Sequence, residues 1–238
     1  MKNRPIIIAI IVAAIVIAGV AIYFLTRSEP SVLPSTEAPT TPGTPSAPPA
    51  TSETPAPPAA GGEIMQAGPL GEKALGREDA PVTIIEYASM TCSHCARFAT
   101  ATYPTLKTKY IDTGKVRYIF REFPLDSLAA GAVMLARCAP EDRYFPLVEL
   151  LFERQREWAF VEKPLDALFA LVRQAGFTQE SFRACLGNQE ILDGVSWVRD
   201  RGAEFGVEST PTFFINGQKH SGALTIEELD KVIEPLLN

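Results

Sequence analysis

The sequence predicts an α/β domain, a mixed sheet covered by helices with an all-helical insertion, placed after a transmembrane helix and a disordered linker. Three observations carry this expectation. Two short runs rich in β-branched and aromatic residues, 82–88 and 116–121, flank a stretch of helical periodicity, the order of a strand–helix–strand unit. Residues 127–205 then show helical patterns alone. Two further short extended runs follow, joined by Asn216-Gly217, a pair whose tolerance of positive φ suits a tight hairpin.

Residues 6–25 contain no charge, and twenty residues of helix span roughly 30 Å, about the thickness of a bilayer's hydrocarbon core. Lys2 and Arg4 precede the stretch and Arg27 follows it, which favours an N-terminus inside and the bulk of the chain outside. A cleaved signal peptide is the competing reading. The length of the stretch and its Tyr23-Phe24-Leu25 ending suit a retained single-pass anchor better. Residues 28–62 are the linker: ten prolines and eleven serines or threonines between Ser28 and Ala60, with almost nothing large and apolar to bury. The expected organisation is therefore an anchor at 1–27, a linker at 28–62 and a folded domain at 63–238.

Within the domain, Pro81 precedes a buried strand at 82–88. Residues 92–110 carry Phe98, Ala99, Tyr103, Leu106 and Tyr110 at three- and four-residue steps, with Pro104 expected to break or kink the helix. The turn Asp112-Thr113-Gly114 leads into the second strand. Helical patterns at 127–138, 144–157, 164–175, 179–186 and 189–205 form the insertion, punctuated by Pro140, Pro164, Gly176 and Gly187. The final helix, 225–236, opens on Thr225 with Glu228 three residues on, a capping box.

The first 61 residues hold three acids and three bases, so the net charge of −6 resides in the domain. Without a basic run, nucleic-acid binding has no electrostatic support. All four cysteines lie in this domain, which the topology assigns to an oxidising compartment.

Cys92-Ser93-His94-Cys95 falls where the first strand passes into a helix. Unpaired N–H groups and the positive end of the helix dipole stabilise a thiolate there. The spacing lets the two sulfurs close a small ring, with Cys92 exposed to attack and Cys95 resolving the mixed disulfide. His94 can set positive charge or an N–H donor beside the Cys92 sulfur, and stabilising the thiolate stabilises the reduced form. Thiol–disulfide exchange is the expected chemistry, with no cofactor beyond the cysteine pair. Cys138 and Cys185 are expected to form a structural disulfide in an oxidising compartment; two separate buried thiols, or a regulatory disulfide, are the other readings.

Residues 82–95 (VTIIEYASMTCSHC), 110–125 (YIDTGKVRYIFREFPL) and 208–217 (ESTPTFFING) together resemble the DsbA-like branch of the thioredoxin superfamily. The resemblance covers most of 70–236 and implies a thioredoxin-like fold interrupted by a helical insertion. It implies that Glu86 is a buried acid assisting proton transfer at the resolving thiol. It also implies that Thr210-Pro211 is a cis-proline loop, where the Thr210 backbone would pair with an extended substrate like an added strand. Thr210 and Ser93 depart from the pattern of strongly oxidising members.

The expected function is a dithiol oxidase at the inner membrane, its domain facing the periplasm or cell exterior. It would donate the Cys92–Cys95 disulfide to reduced exported proteins and, by resemblance, be reoxidised by a quinone-linked membrane oxidase. A disulfide isomerase or reductase of the same fold is the alternative. A zinc or protein-binding module is a third, although Cys138 and Cys185 lack nearby cysteine or histidine partners.

Overall fold

The computed structural model describes residues 60–237; the expected anchor at 6–25 and nearly all of the linker lie outside the described residues. Among the described residues no helix is long and apolar enough to cross a membrane. The first helix, α1 (Ala60–Ile64), starts three residues before the expected domain boundary at 63, and Ile64 is buried in the core.

The strands are β1 (Lys73–Leu75), β2 (Val82–Ala88), β3 (Val116–Glu122), β4 (Thr212–Ile215) and β5 (Gln218–Ser221), in the sheet order β1-β3-β2-β4-β5. β2 pairs with β3 in parallel, with Ile84 opposite Tyr118 and Glu86 opposite Phe120; every other pairing is antiparallel. β2 is thus central, buried on both faces, and its near-continuous apolar run is what such a strand requires. Alternation along the strands divides the core. Ile84, Tyr118, Phe120 and Phe213 face one cluster, whereas Ile85, Tyr87, Ile119 and Phe214 face the other.

The crossover from β2 to β3 is one continuous helical rod, α2, over residues 93–111. It alternates α-helical Ser93–Arg97 and Tyr103–Leu106 with π-helical Phe98–Thr102 and Lys107–Ile111. The expected break at Pro104 does not occur. The widened turn before it lets the Tyr103 N–H reach the Phe98 carbonyl five residues back, so a proline without a donor is carried inside the rod.

The insertion comprises α3 (Ser127–Cys138), α4 (Tyr144–Glu153), α5 (Gln155–Trp158), α6 (Pro164–Val172), α7 (Gln179–Leu186) and α8 (Gln189–Glu204). Side chains cap its helices: Asp126 accepts from the Ala129 N–H, Thr178 forms a capping box with Ser181, and Asn188 accepts from the Ile191 N–H. Cys138 and Cys185 are disulfide-bonded, tying α3 to α7. α8 returns the chain to the second face of the sheet, where Val198 packs with Ile64, Ile85 and Tyr87. Gly202 permits that approach, since a Cβ there would stand 2.6 Å from the Tyr87 ring. The last helix, α9 (Ile226–Ile233), carries the Thr225–Glu228 capping box and buries Leu229 and Ile233 on the first face.

Candidate active site

β2 ends at Ala88, and four residues later Cys92 occupies the N-cap of α2, with extended φ/ψ of −79° and 118°. Its side chain makes no capping hydrogen bond to the helix backbone. Both thiols are free; Cys92 is partly exposed and Cys95, one turn in, is fully buried. Their acidities diverge. The hydrogen bond from the Cys95 side chain is the largest influence on Cys92, and partial burial opposes it. Thr210 and the backbone N–H groups of Cys95 and His94 then add to the pull, bringing Cys92 down to about 5. Burial foremost, then the Cys92 sulfur and the Glu86 charge, push the Cys95 thiol far up. The pair therefore holds an outer thiolate and an inner thiol at neutral pH, the asymmetry that a nucleophile and a resolving group need.

Glu86 sits beneath the pair on the central strand, 2 % exposed, and accepts a hydrogen bond from the Tyr118 hydroxyl. Burial, opposed by that hydrogen bond and aided by the Cys92 charge, raises its carboxyl to about 8. A carboxyl with that acidity can hold or release a proton near neutral pH. On the other side of the thiols, the Thr210–Pro211 peptide is cis, and the Thr210 carbonyl oxygen, 3.2 Å from the Cys92 Sγ, accepts from it when Cys92 is protonated.

Ser93 and His94 are exposed at the first turn of α2. The His94 ring turns its Nδ1 toward Arg97, accepting a hydrogen bond from that guanidinium at 2.6 Å. The backbone N–H of His94 acts on the Cys92 sulfur. Beside these residues an open groove of about 560 Å³ runs between α2 and the α4–α5 junction, bounded by His94, Arg97, Thr100, Glu153, Arg154 and Glu157.

Three contributions escape a reading of the sequence. The buried Gln155 amide donates to the Met90 carbonyl at 2.8 Å and the Cys92 carbonyl at 3.0 Å, so the insertion clamps the thiol loop. Thr91 donates to Asp126 Oδ2 at 2.6 Å, joining the loop to the cap of α3. Tyr118 comes within reach of Glu86 only through the parallel register of β2 and β3. A lone Gln or Tyr inside a regular element carries no local signal of such a role. The zinc reading needed four cysteines together, and Cys138 is bonded to Cys185 instead.

A sheet of this topology, carrying a dithiol at the start of its crossover helix beside a cis-proline loop, defines a thiol–disulfide oxidoreductase. The chain belongs to the thioredoxin family, whose family model matches residues 70–235, and it is of the DsbA type. It is similar to a protein of Rickettsia bellii carrying the provisional name of protein-disulfide oxidoreductase, 31% identical over 172 residues, 69% of this chain and 65% of that one. A similarly named protein of Rickettsia conorii is 32% identical over 168 residues, 68% of this chain and 59% of that one. The chain thus spans less than two thirds of the length of these curated relatives. Among solved structures it resembles alpha-DsbA1 of Wolbachia pipientis, with a TM-score of 0.67, 32% identity, and coverage of 74% of this chain and 94% of that one. BdbD from Bacillus subtilis shares the fold at a TM-score of 0.62 and 22% identity, over 70% of this chain and 92% of that one.

Proposed function

We propose that the chain is a dithiol oxidase that donates the Cys92–Cys95 disulfide to reduced exported proteins. The carrying observation is the split in acidity, Cys92 drawn down to about 5 and Cys95 pushed up. A stabilised thiolate favours the reduced dithiol, so the disulfide readily passes its oxidising equivalents on. In this reading a substrate thiolate attacks the Cys92 sulfur and Cys95 leaves, taking its proton from Glu86. A second substrate thiolate then releases Cys92 as thiolate. Ser93 and His94 form the rim of the site, and the Thr210 backbone beside Pro211 receives the substrate as an extended strand. The Cys138–Cys185 bond has a structural role.

The same reading makes residues 6–25 a single-pass inner-membrane anchor and 28–62 a tether, with the domain facing the periplasm or cell exterior. Reoxidation falls to a quinone-linked membrane oxidase, a partner suggested by the family resemblance. The test is oxidation of a reduced, unfolded protein by the full chain. The chain is first oxidised to its Cys92–Cys95 disulfide; transfer from that form should be complete, and Cys92→Ala should abolish it. A Cys92 thiolate that titrates near the ordinary thiol value of about 8.5 would remove the basis for an oxidase. The Thr210 and Ser93 departures leave isomerase or reductase as the second reading, favoured if scrambled disulfides are rearranged faster than reduced ones are oxidised.

A further inference from the structure

The proton exchanged with Cys95 has to leave a fully buried region. Cys95 and Glu86 are 0 % and 2 % exposed, so neither meets solvent directly. Beneath them, between β2, β3, α2 and α4, a small cavity leaves about 20 Å³ of free volume, lined by Glu86, Tyr103, Tyr118 and Glu149 among aromatic and aliphatic walls. One water needs roughly 10–15 Å³ and two to four polar partners. The Tyr103 hydroxyl supplies the second observation: Tyr103 is 6 % exposed, and its enclosed Oη closes no hydrogen bond of good geometry, although the Glu149 carboxylate lies near enough to act on it. A buried hydroxyl with unmet hydrogen-bonding capacity is costly, and a bridging water would remove that cost. Tyr118 already donates to Glu86, and its ring lies 5.3 Å from that of Tyr103.

Tyr103 and Glu149 also line a second, open groove of about 420 Å³ with Thr100, Lys107 and Glu153. Glu149 is exposed there. Burial first, and the Glu149 carboxylate second, hold the Tyr103 phenol well above its usual range, so its hydroxyl stays protonated. The titratable groups acting on Glu86 and Tyr103 are Cys92, Cys95, Tyr118, Glu149 and, from the end of α2, Asp112.

We propose that one water held between Glu86 and Tyr103 completes a proton path from Cys95 through Glu86, past the Tyr103 hydroxyl, to Glu149 and the open groove. This inference rests on the reading of Cys95 as the resolving thiol and Glu86 as its proton partner. In the donating direction, the substrate sulfur bonds to Cys92 as the Cys92–Cys95 bond breaks. The departing Cys95 thiolate takes the Glu86 proton, and Glu86 is reprotonated from solvent along the path. In reoxidation the Cys95 proton runs outward by the same route as Cys95 attacks the mixed disulfide at Cys92. Tyr103 and Glu149 are positioning residues, since neither touches the reacting sulfurs.

The experiment loads the full chain with glutathione as a mixed disulfide at Cys92 and follows its resolution by Cys95, in H₂O and D₂O, from pH 5 to 9. Tyr103→Phe and Glu149→Gln should each slow resolution at least fivefold at neutral pH and enlarge the solvent isotope effect. The Cys92 thiolate titration should stay where it is, and thermal melting controls for folding. Resolution by Tyr103→Phe at the unsubstituted rate, with an unchanged isotope effect, overturns the path. Glu86→Gln separates the two ideas. If it slows resolution while Tyr103→Phe does not, the path alone fails; if neither slows it, the role of Glu86 fails as well.

Discussion

The divergent acidities of the two thiols fix how the redox equilibrium depends on pH. Reduction of the disulfide takes up two electrons; below the Cys92 titration, at about 5, it also takes up two protons. Above that point Cys92 stays a thiolate while Cys95, pushed far up by burial, still binds its proton, so one proton accompanies the two electrons. The potential should therefore fall by ~59 mV per pH unit below about 5 and by ~30 mV per unit above it. Glutathione keeps both protons across this range and falls by ~59 mV throughout. Relative to glutathione, the chain should be flat below about 5 and then become a stronger oxidant, about tenfold in equilibrium constant per pH unit. At pH 7 the lowered pKa of Cys92 favours the reduced form by about 2 kcal/mol, or ~40 mV, after discounting for solvent screening at a partly exposed sulfur. The sign follows from a depressed pKa: the stabilisation is present at high pH and is lost as pH falls through about 5. The assay is equilibration in glutathione buffers from pH 4 to 7.5, below the Glu86 titration at about 8, with trapping of free thiols by alkylation. A glutathione equilibrium constant that stays flat up to pH 7.5 would refute this account of the thiols.

Other expectations follow from particular contacts. Gln155→Leu strips a donor from the Met90 carbonyl and should destabilise the chain by ~1–3 kcal/mol, read from urea unfolding; a change under ~0.5 kcal/mol would mean the clamp holds nothing. Replacing both Cys138 and Cys185 by Ser opens a loop with a sequence separation of 47 and should cost up to ~4 kcal/mol on the chain-entropy account, while the Cys92 thiolate titration stays unchanged. Gly202→Ala pushes a methyl against the Tyr87 ring from helix α8 and should cost ~1–3 kcal/mol; a rise in melting temperature would show that α8 shifts freely.

Much of the fold was legible because its signals are local. The run 82–88 announces a central strand, Asn216-Gly217 announces the hairpin, and Thr225 with Glu228 announces the start of the last helix. β1 was not legible: three half-buried residues, Lys73–Leu75, are extended because they pair with Tyr118, Ile119 and Phe120 far along the chain. Pro104 misled for a physical reason, since a π-helical turn absorbs the missing donor without ending the helix. In the site, the cysteine spacing and the position of Glu86 stand in the sequence itself. The clamp from Gln155 and the Tyr118 partner of Glu86 are tertiary facts. A residue's spacing along the chain does not encode them.

The place of Cys92 at a helix N-cap sets fold stability against activity. As a thiol, Cys92 makes no capping hydrogen bond; as a thiolate, it draws the His94 and Cys95 amides to its sulfur. Serine, threonine, asparagine or aspartate at an N-cap stabilises a helix by about 1 kcal/mol over a residue that cannot cap. Exchanging the nucleophilic sulfur for oxygen should thus yield an inert chain that is harder to unfold only below about pH 5, where Cys92 is a thiol and cannot cap. Enrichment of variants for thermal robustness alone in that acid range would select against this thiol, and surviving heat would be no guide to retained activity.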